Sequence, residues 1–182
     1  MLTMATNTPS ALLLRVGADT GSRSGGYRGH IDSNASFIWT PIPTHNDPDF
    51  ERKTYGDTKR GKLFKITQLQ KLKPGDWLVF YAGLLHIPSG IPGAYIVGYF
   101  IVRKVMDFIS KQYNSDQIGQ MKMEINKHQE EAFDEKPDSA IIIFGEKGRG
   151  GLLEHAIKIG SFKAGRYKAD DIIKDKIKRG DD

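Results

Sequence analysis

Leu72-Lys73-Pro74-Gly75-Asp76-Trp77 runs straight into Leu78-Val79-Phe80-Tyr81, and Ala94-Tyr95-Ile96-Val97-Gly98-Tyr99-Phe100 follows a short distance on. Proline sets φ at one turn position and glycine supplies the next, so Pro74-Gly75-Asp76 reads as a turn. The residues beyond it are β-branched and aromatic. Residues 77–81 and 94–105 therefore read as strands, with residues 83–92 as the loop between them. This strand-turn-strand pattern is the frame of a small barrel.

Working outward, residues 11–16 are apolar and read as a first strand. A glycine-rich turn over residues 17–29 follows, holding Gly17, Gly21, Gly25, Gly26 and Gly29. Residues 36–42 set Phe37, Trp39 and Pro41 against Ile38, Thr40 and Ile42, a short strand ended by prolines. Residues 44–57 show no sustained periodicity and read as a loop. Residues 61–72 place Leu63, Phe64, Ile66, Leu69 and Leu72 on one helical stripe. Residues 115–133 read as one surface helix through Ile118, Met121, Ile125 and His128. Residues 140–144 form a strand, residues 145–151 a second glycine-rich turn, and residues 152–159 a short helix or strand. Residues 170–179 read as a charged C-terminal helix. The expectation is one domain over residues 10–179, with a disordered tail over residues 1–9.

The 182 residues are 38% hydrophobic and 27% charged, which suits a globular domain. No apolar run approaches the roughly 20 residues of a membrane span. The run Leu12-Leu13-Leu14 is cut by Arg15, so a cytoplasmic protein without a membrane partner is expected. The absence of cysteine excludes disulfides and thiolate chemistry. A net charge of +5 is compatible with a polyanionic partner.

Three constellations carry chemistry. His45-Asn46-Asp47-Pro48-Asp49-Phe50 is followed by Thr54-Tyr55-Gly56-Asp57. In an enzyme His45 would act as base, oriented by Asp47 or Asp49. The competing reading is a turn closed by asparagine and aspartate side chains on their own backbone. No fixed ligand spacing is present, so no metal or cofactor is expected. The glycine-rich turn with Asp19, Arg23 and Arg28, next to Arg15, is a candidate anion cradle or a plain connection. Lys147 and Arg149 in the second glycine-rich turn have the same two readings. Among the aromatics, Trp39 and Trp77 are the candidates for a pocket wall on which a base stacks. Lys104, Lys111, Lys122 and Lys127 read as a solvated face.

Several of these pieces together resemble the third class of nucleotide modification associated domains. They are Leu14-Arg15-Val16-Gly17-Ala18-Asp19 with Gly25-Gly26, residues 37–43, the His45 loop, Thr54-Tyr55-Gly56-Asp57, residues 72–83 and Ile96-Val97-Gly98-Tyr99-Phe100. The resemblance covers most of residues 13–105, with a weaker echo over residues 141–159. The barrel segments also resemble PUA-like domains such as EVE, ASCH and YTH.

The resemblance implies an α+β fold, a PUA-like, partly open β-barrel of five to seven strands flanked by helices. A mixed three-layer α/β arrangement is the alternative. The implied function is binding of a nucleotide or nucleic acid, with recognition of a modified base in a DNA modification or restriction system. Arg15, Arg23 and Arg28, with Lys147 and Arg149, would meet phosphate, and Trp39 and Trp77 would stack. Asp19, Asn46 and Asp57 would read polar edges, and Tyr55 is a further candidate binding residue. The other classes are an enzyme acting on a nucleotide or base through His45, Asp47 and Asp49, with assistance from a divalent metal as an option, and a structural adaptor. Either nucleotide reading expects the Gly17 turn and the His45 loop to border one cavity with Trp39 and Trp77.

Overall fold

A computed structural model describes residues 8–16, 29–39, 47–58, 63–163 and 166–170. Its strands are β1 (Ala11–Arg15), β2 (Gly29–Ile31), β3 (Phe37–Trp39), β4 (Thr54–Thr58), β5 (Trp77–His86), β6 (Ile91–Asp107), β7 (Ala140–Lys163) and β8 (Arg166–Ala169). Its helices are α1 (Leu63–Gln70), α2 (Ser115–Glu124) and α3 (Lys127–Glu135).

The turn ahead of β5 organises the sheet. Gly75 has φ 93°, a region most side chains avoid. Its N–H donates to the Val102 carbonyl, and the Val102 N–H returns a bond to Asp76, tying the turn to β6. The buried Asp76 carboxylate accepts Ser10 N–H and Lys73 N–H, both at 2.8 Å. Burial alone would raise its pKa. The bonds from Ser10 and Lys73 outweigh that and hold it below the usual carboxylate value. Trp77 N–H then bonds the Ser10 carbonyl, and β1 runs parallel to β5 from Ala11 opposite Trp77 to Arg15 opposite Tyr81.

The hydrogen-bonded path runs β3-β2-β5-β6-β7-β4, with β1 also on β5 and β8 also on β7. Along β5 the side chains alternate. Leu78, Phe80, Ala82 and Leu84 are buried, whereas Trp77 is exposed and Val79 and Tyr81 are partly so. The buried face is the concave one. Tyr55 of β4 lies three strands from β5 along the path, yet its ring meets Phe80 at 5.7 Å. Phe50 packs edge-on against both Phe80 and Phe100, at 5.5 and 5.7 Å. Such contacts require the sheet to curl back on itself. The fold is the expected α+β, partly open barrel flanked by helices.

Two apolar clusters share β7. Ile141 and Ile143 enter the barrel core with Leu69, Phe80 and Phe100. Ala140, Ile142 and Phe144 face the other way, joining Met106, Met121, Ile125 and Phe133 under α2 and α3. A strand buried on both faces reads as a continuous apolar run, as Ala140-Ile141-Ile142-Ile143-Phe144 does.

Several boundaries differ from the sequence reading. The loop expected over residues 83–92 shrinks to a tight turn, because β5 and β6 stay paired out to His86 and Ile91. Residues 54–57, read as loop, belong with Thr58 to β4, since Ala140, Ile141, Ile142, Ile143 and Phe144 offer them a ladder partner. The single helix over residues 115–133 is two. Ile125 is extended, and Asn126 starts α3 with its side chain accepting from Gln129 N–H. The turn over residues 145–151 is a bulge within β7, where the partner of Val102 is Gly145 and that of Phe100 is Gly150. Residues 152–159 are strand. Besides the strands read from the sequence, the described residues hold β2, β4 and β8, which are three to five residues long and nearly featureless in sequence. Beyond Asp170, the expected C-terminal helix lies outside the described residues. Among the described residues, no helix is long and apolar enough to cross a membrane.

Candidate functional site

Residues 47–53 fold tightly ahead of β4. Asp49 is fully engaged in that turn. Its Oδ1 accepts from Glu51 N–H at 3.1 Å and Arg52 N–H at 2.8 Å, and its Oδ2 accepts from Asn126 Nδ2 at 3.1 Å. Its backbone pairs with Thr54 in both directions. The turn reading therefore describes Asp49.

Asp47 is different. Its Oδ1 accepts from Gly56 N–H at 3.1 Å and from Gln129 Nε2 at 2.9 Å. Gln129 is buried and is itself held by Thr54 Oγ1, which donates to Gln129 Oε1 at 2.8 Å. Asp47 Oδ2 accepts no hydrogen bond among the described residues. Burial pushes the Asp47 pKa up to about 7. The bonds from Gln129 and Gly56 oppose that shift, the Asp57 charge adds to it and Lys65 subtracts from it. At neutral pH this carboxyl is poised to hold or release a proton.

Beside it, Asp57 Oδ2 accepts from Tyr55 OH at 3.2 Å and pairs with Lys65 Nζ at 2.7 Å. The Lys65 ammonium also sits 5.1 Å from the Tyr55 ring centroid. Burial, then the charges of Asp47 and Asp57, raise the Tyr55 hydroxyl pKa. Asp47, Tyr55 and Asp57 thus form one cluster at β4, the strand that ends the hydrogen-bonded path, completed by Lys65 from α1 and Gln129 from α3. No group of three or more His, Asp or Glu able to hold a metal ion occurs among the described residues.

The other expected site residues lie elsewhere. Trp77 is 38% exposed and stacks on Tyr99 with centroids 4.9 Å apart and planes 19° apart. It is on the convex face of β5, opposite the Phe80 side chain that Tyr55 touches. Trp77 and the Asp47 cluster therefore do not share a cavity. Lys147 and Arg149 are exposed in the β7 bulge, where Arg149 pairs with Glu146 at 2.8 Å. Arg15 ends β1 opposite Tyr81. Trp39 lies in β3 opposite Gly29, and its side chain is outside the described part. Asp19, Arg23, Arg28, His45 and Asn46 lie outside the described residues, and with them the common cavity expected for the Gly17 turn and the His45 loop.

Lys65 and Gln129 were missed. Lys65 looks like one more cation off the apolar stripe of a helix. Gln129 had a readable signal, because Asn126 and Gln129 have the spacing of a capping box. That signal gives the start of α3 but not the contact with Asp47, which lies 82 residues away.

The profile of nucleotide modification associated domain 3 matches residues 43–179. The chain belongs to this nucleotide modification associated domain 3 family. The match takes in Asp47, Tyr55, Asp57, Lys65 and Gln129, so every member of the cluster is part of the domain proper. It leaves out the N-terminal pieces, Leu14 to Asp19 and residues 37–42, that the sequence resemblance had enlisted. No curated protein and no solved structure matches the chain. Membership of the nucleotide modification associated domain 3 family places the chain with systems of nucleotide modification.

Proposed function

We propose that this domain binds a nucleotide or nucleic acid in the cytoplasm and recognises a base, modified bases included, within a DNA modification or restriction system. The observation that carries the reading is the Asp47 carboxyl, with one oxygen fixed by Gly56 and Gln129 and the other without a hydrogen bond among the described residues, next to the Asp57–Lys65 pair. Base edges alternate donors and acceptors within a few ångströms. A carboxyl that is half protonated near neutrality serves as donor or acceptor, Asp57 accepts, and Lys65 supplies a cation within reach of a phosphate. Clustering of a strongly shifted group with a charge partner supports a functional rather than a structural role.

Calorimetric titration with nucleoside monophosphates, unmodified and base-modified, tests this. Binding is expected to change with pH around 7 and to weaken at least about tenfold in Asp47→Asn and in Asp57→Asn, the loss of about one charge-assisted hydrogen bond. Affinity indifferent to both substitutions would discard the reading.

A second reading, catalysis on the bound base, is favoured by the same raised pKa beside a second carboxylate. Asp49 has both oxygens engaged, so Asp47 is the carboxyl available to move a proton or to orient His45, two residues earlier. Chromatography of nucleotides after incubation separates the two. A product formed by the parent and lost in Asp47→Asn establishes the enzyme; unchanged nucleotide with intact binding leaves the recognition module.

A further inference from the structure

A second charged feature lies beyond the far end of α1. Gln70, Lys71, Leu72, Lys73 and Pro74 face Arg103, Lys104, Val105 and Lys111 across a surface groove of about 640 Å³. Five of those nine residues are cations. Lys71, Lys73, Arg103 and Lys111 are exposed, and Lys71, Lys73, Lys104 and Lys111 form no ion pair with any described acid. The nearby acids are otherwise engaged. Glu124 pairs with Arg103, Asp76 holds the Ser10 and Lys73 amides, and Asp107 accepts from Gln70 Nε2 and from the Ile109 and Ser110 amides.

We infer that this groove holds the phosphodiester backbone of a polynucleotide. The volume falls in the range that accommodates a whole small ligand, well beyond one phosphate. Its lining lacks the large exposed hydrophobics that a membrane or an apolar peptide would need: those are Trp77, Ile87, Ile91, Met123, Leu152 and Ile157. The inference deepens the proposed base recognition and rests on it for the role of the site, since it makes the bound species a strand rather than a free nucleotide. Helix α1 links the two places. Lys65 grips Asp57 near its start and Gln70 lines the groove at its end, five residues and roughly 7.5 Å along the axis at 1.5 Å per residue. A strand with its phosphates in the groove lies within a few nucleotide steps of Asp47.

The test is fluorescence anisotropy with labelled single-stranded and duplex DNA of mixed sequence, at about 50 and about 200 mM salt. It compares the parent, the triple variant Lys71→Gln, Lys73→Gln, Lys111→Gln, and the control Lys127→Gln, Lys136→Gln on exposed positions of α3 and its C-cap. Each lost phosphate contact removes about 0.7–0.9 from the slope of log affinity against log salt, so the triple variant should lose about 2–3 in slope, and at least about tenfold in affinity at the lower salt. The control should match the parent. All substituted side chains are exposed, and thermal unfolding verifies that the variants fold.

An unchanged slope overturns the inference, as does equal loss in the control. So does parent binding to phosphatidylserine vesicles that the triple variant loses in parallel with DNA. The two proposals fail separately. Nucleoside monophosphate binding that persists in a parent with no oligonucleotide binding removes the groove and keeps the base site. Groove-dependent oligonucleotide binding untouched by Asp47→Asn does the reverse.

Discussion

Asp47 and Asp49 stand two apart and look interchangeable in sequence, yet they have opposite fates. Asp49 finds two backbone amides and Asn126, so both of its oxygens are hydrogen-bonded. Asp47 finds one backbone amide and one side-chain amide, and the desolvation of its surroundings favours its neutral form. The consequence for stability has a definite sign. Between the ordinary value of 3.8 and about 7 the folded chain retains a proton that the unfolded chain has released. Stability therefore declines as pH rises through that window and levels off above it. Asp47→Asn keeps an oxygen for Gly56 and Gln129 and removes the ionisation. The variant should match the parent at the acid end of the window and exceed it by up to about 4 kcal/mol above the upper end, about 1.4 kcal/mol for each pH unit of the shift, read by urea unfolding across the range. Parallel profiles for the two proteins would refute the assignment.

The elements carry the site because their ends are specific. Helices α2 and α3 both start with a capping box, Asn114 with Gln117 and Asn126 with Gln129. Only the second does two jobs, since Asn126 Nδ2 also donates to Asp49 and Gln129 also holds Asp47. Asn114→Ala should cost about 1 kcal/mol, the usual worth of a cap. Asn126→Ala should cost about 2–3 kcal/mol, because a part-buried acceptor on Asp49 loses its hydrogen bond as well. Equal costs in chemical denaturation would show that the tether to the Asp49 turn contributes nothing.

The same elements show what could be read from the chain. Strands β5 and β6 announce themselves through alternation and through Pro74-Gly75-Asp76, whose preference for a turn is local. Strand β4, Thr54-Tyr55-Gly56-Asp57-Thr58, has a single large apolar residue and borrows its order from β7. Thr54, Tyr55 and Thr58 favour a strand, but Gly56 and Asp57 do not and no alternation marks one. The division between α2 and α3 was readable in principle from Asn126 and Gln129, but Ile118, Met121, Ile125 and His128 keep helical spacing straight across it and mask the break.

At the scale of the molecule, β7 is a wall between two interiors, and the site leans on one of them. Ile143 points into the barrel, whereas Ile142 points under α3, with its Cδ1 3.2 Å from where a Cβ on Gly56 would sit and with Gln129 beside the same spot. Which side each residue takes follows from register and is invisible in a run of three isoleucines. The candidate acids were legible as a polar loop. The cushion that desolvates them was not, because it is assembled from β7 and α3, which are distant in sequence. Substituting Ile142→Ala or Ile143→Ala should cost a similar 2–5 kcal/mol, as for any large buried aliphatic residue cut back to alanine. Their effects on Asp47 should diverge. The Ile142 cavity opens beside Gly56 and Gln129 and lets water approach the carboxyl, so the Asp47 titration should move down from about 7 toward 3.8, followed by carboxyl-carbon NMR. In Ile143→Ala it should stay near 7. If both variants left the midpoint in place, the raised pKa would have to arise from the loop and β4 alone, and the helical layer would be a support for the fold without a hand in the chemistry.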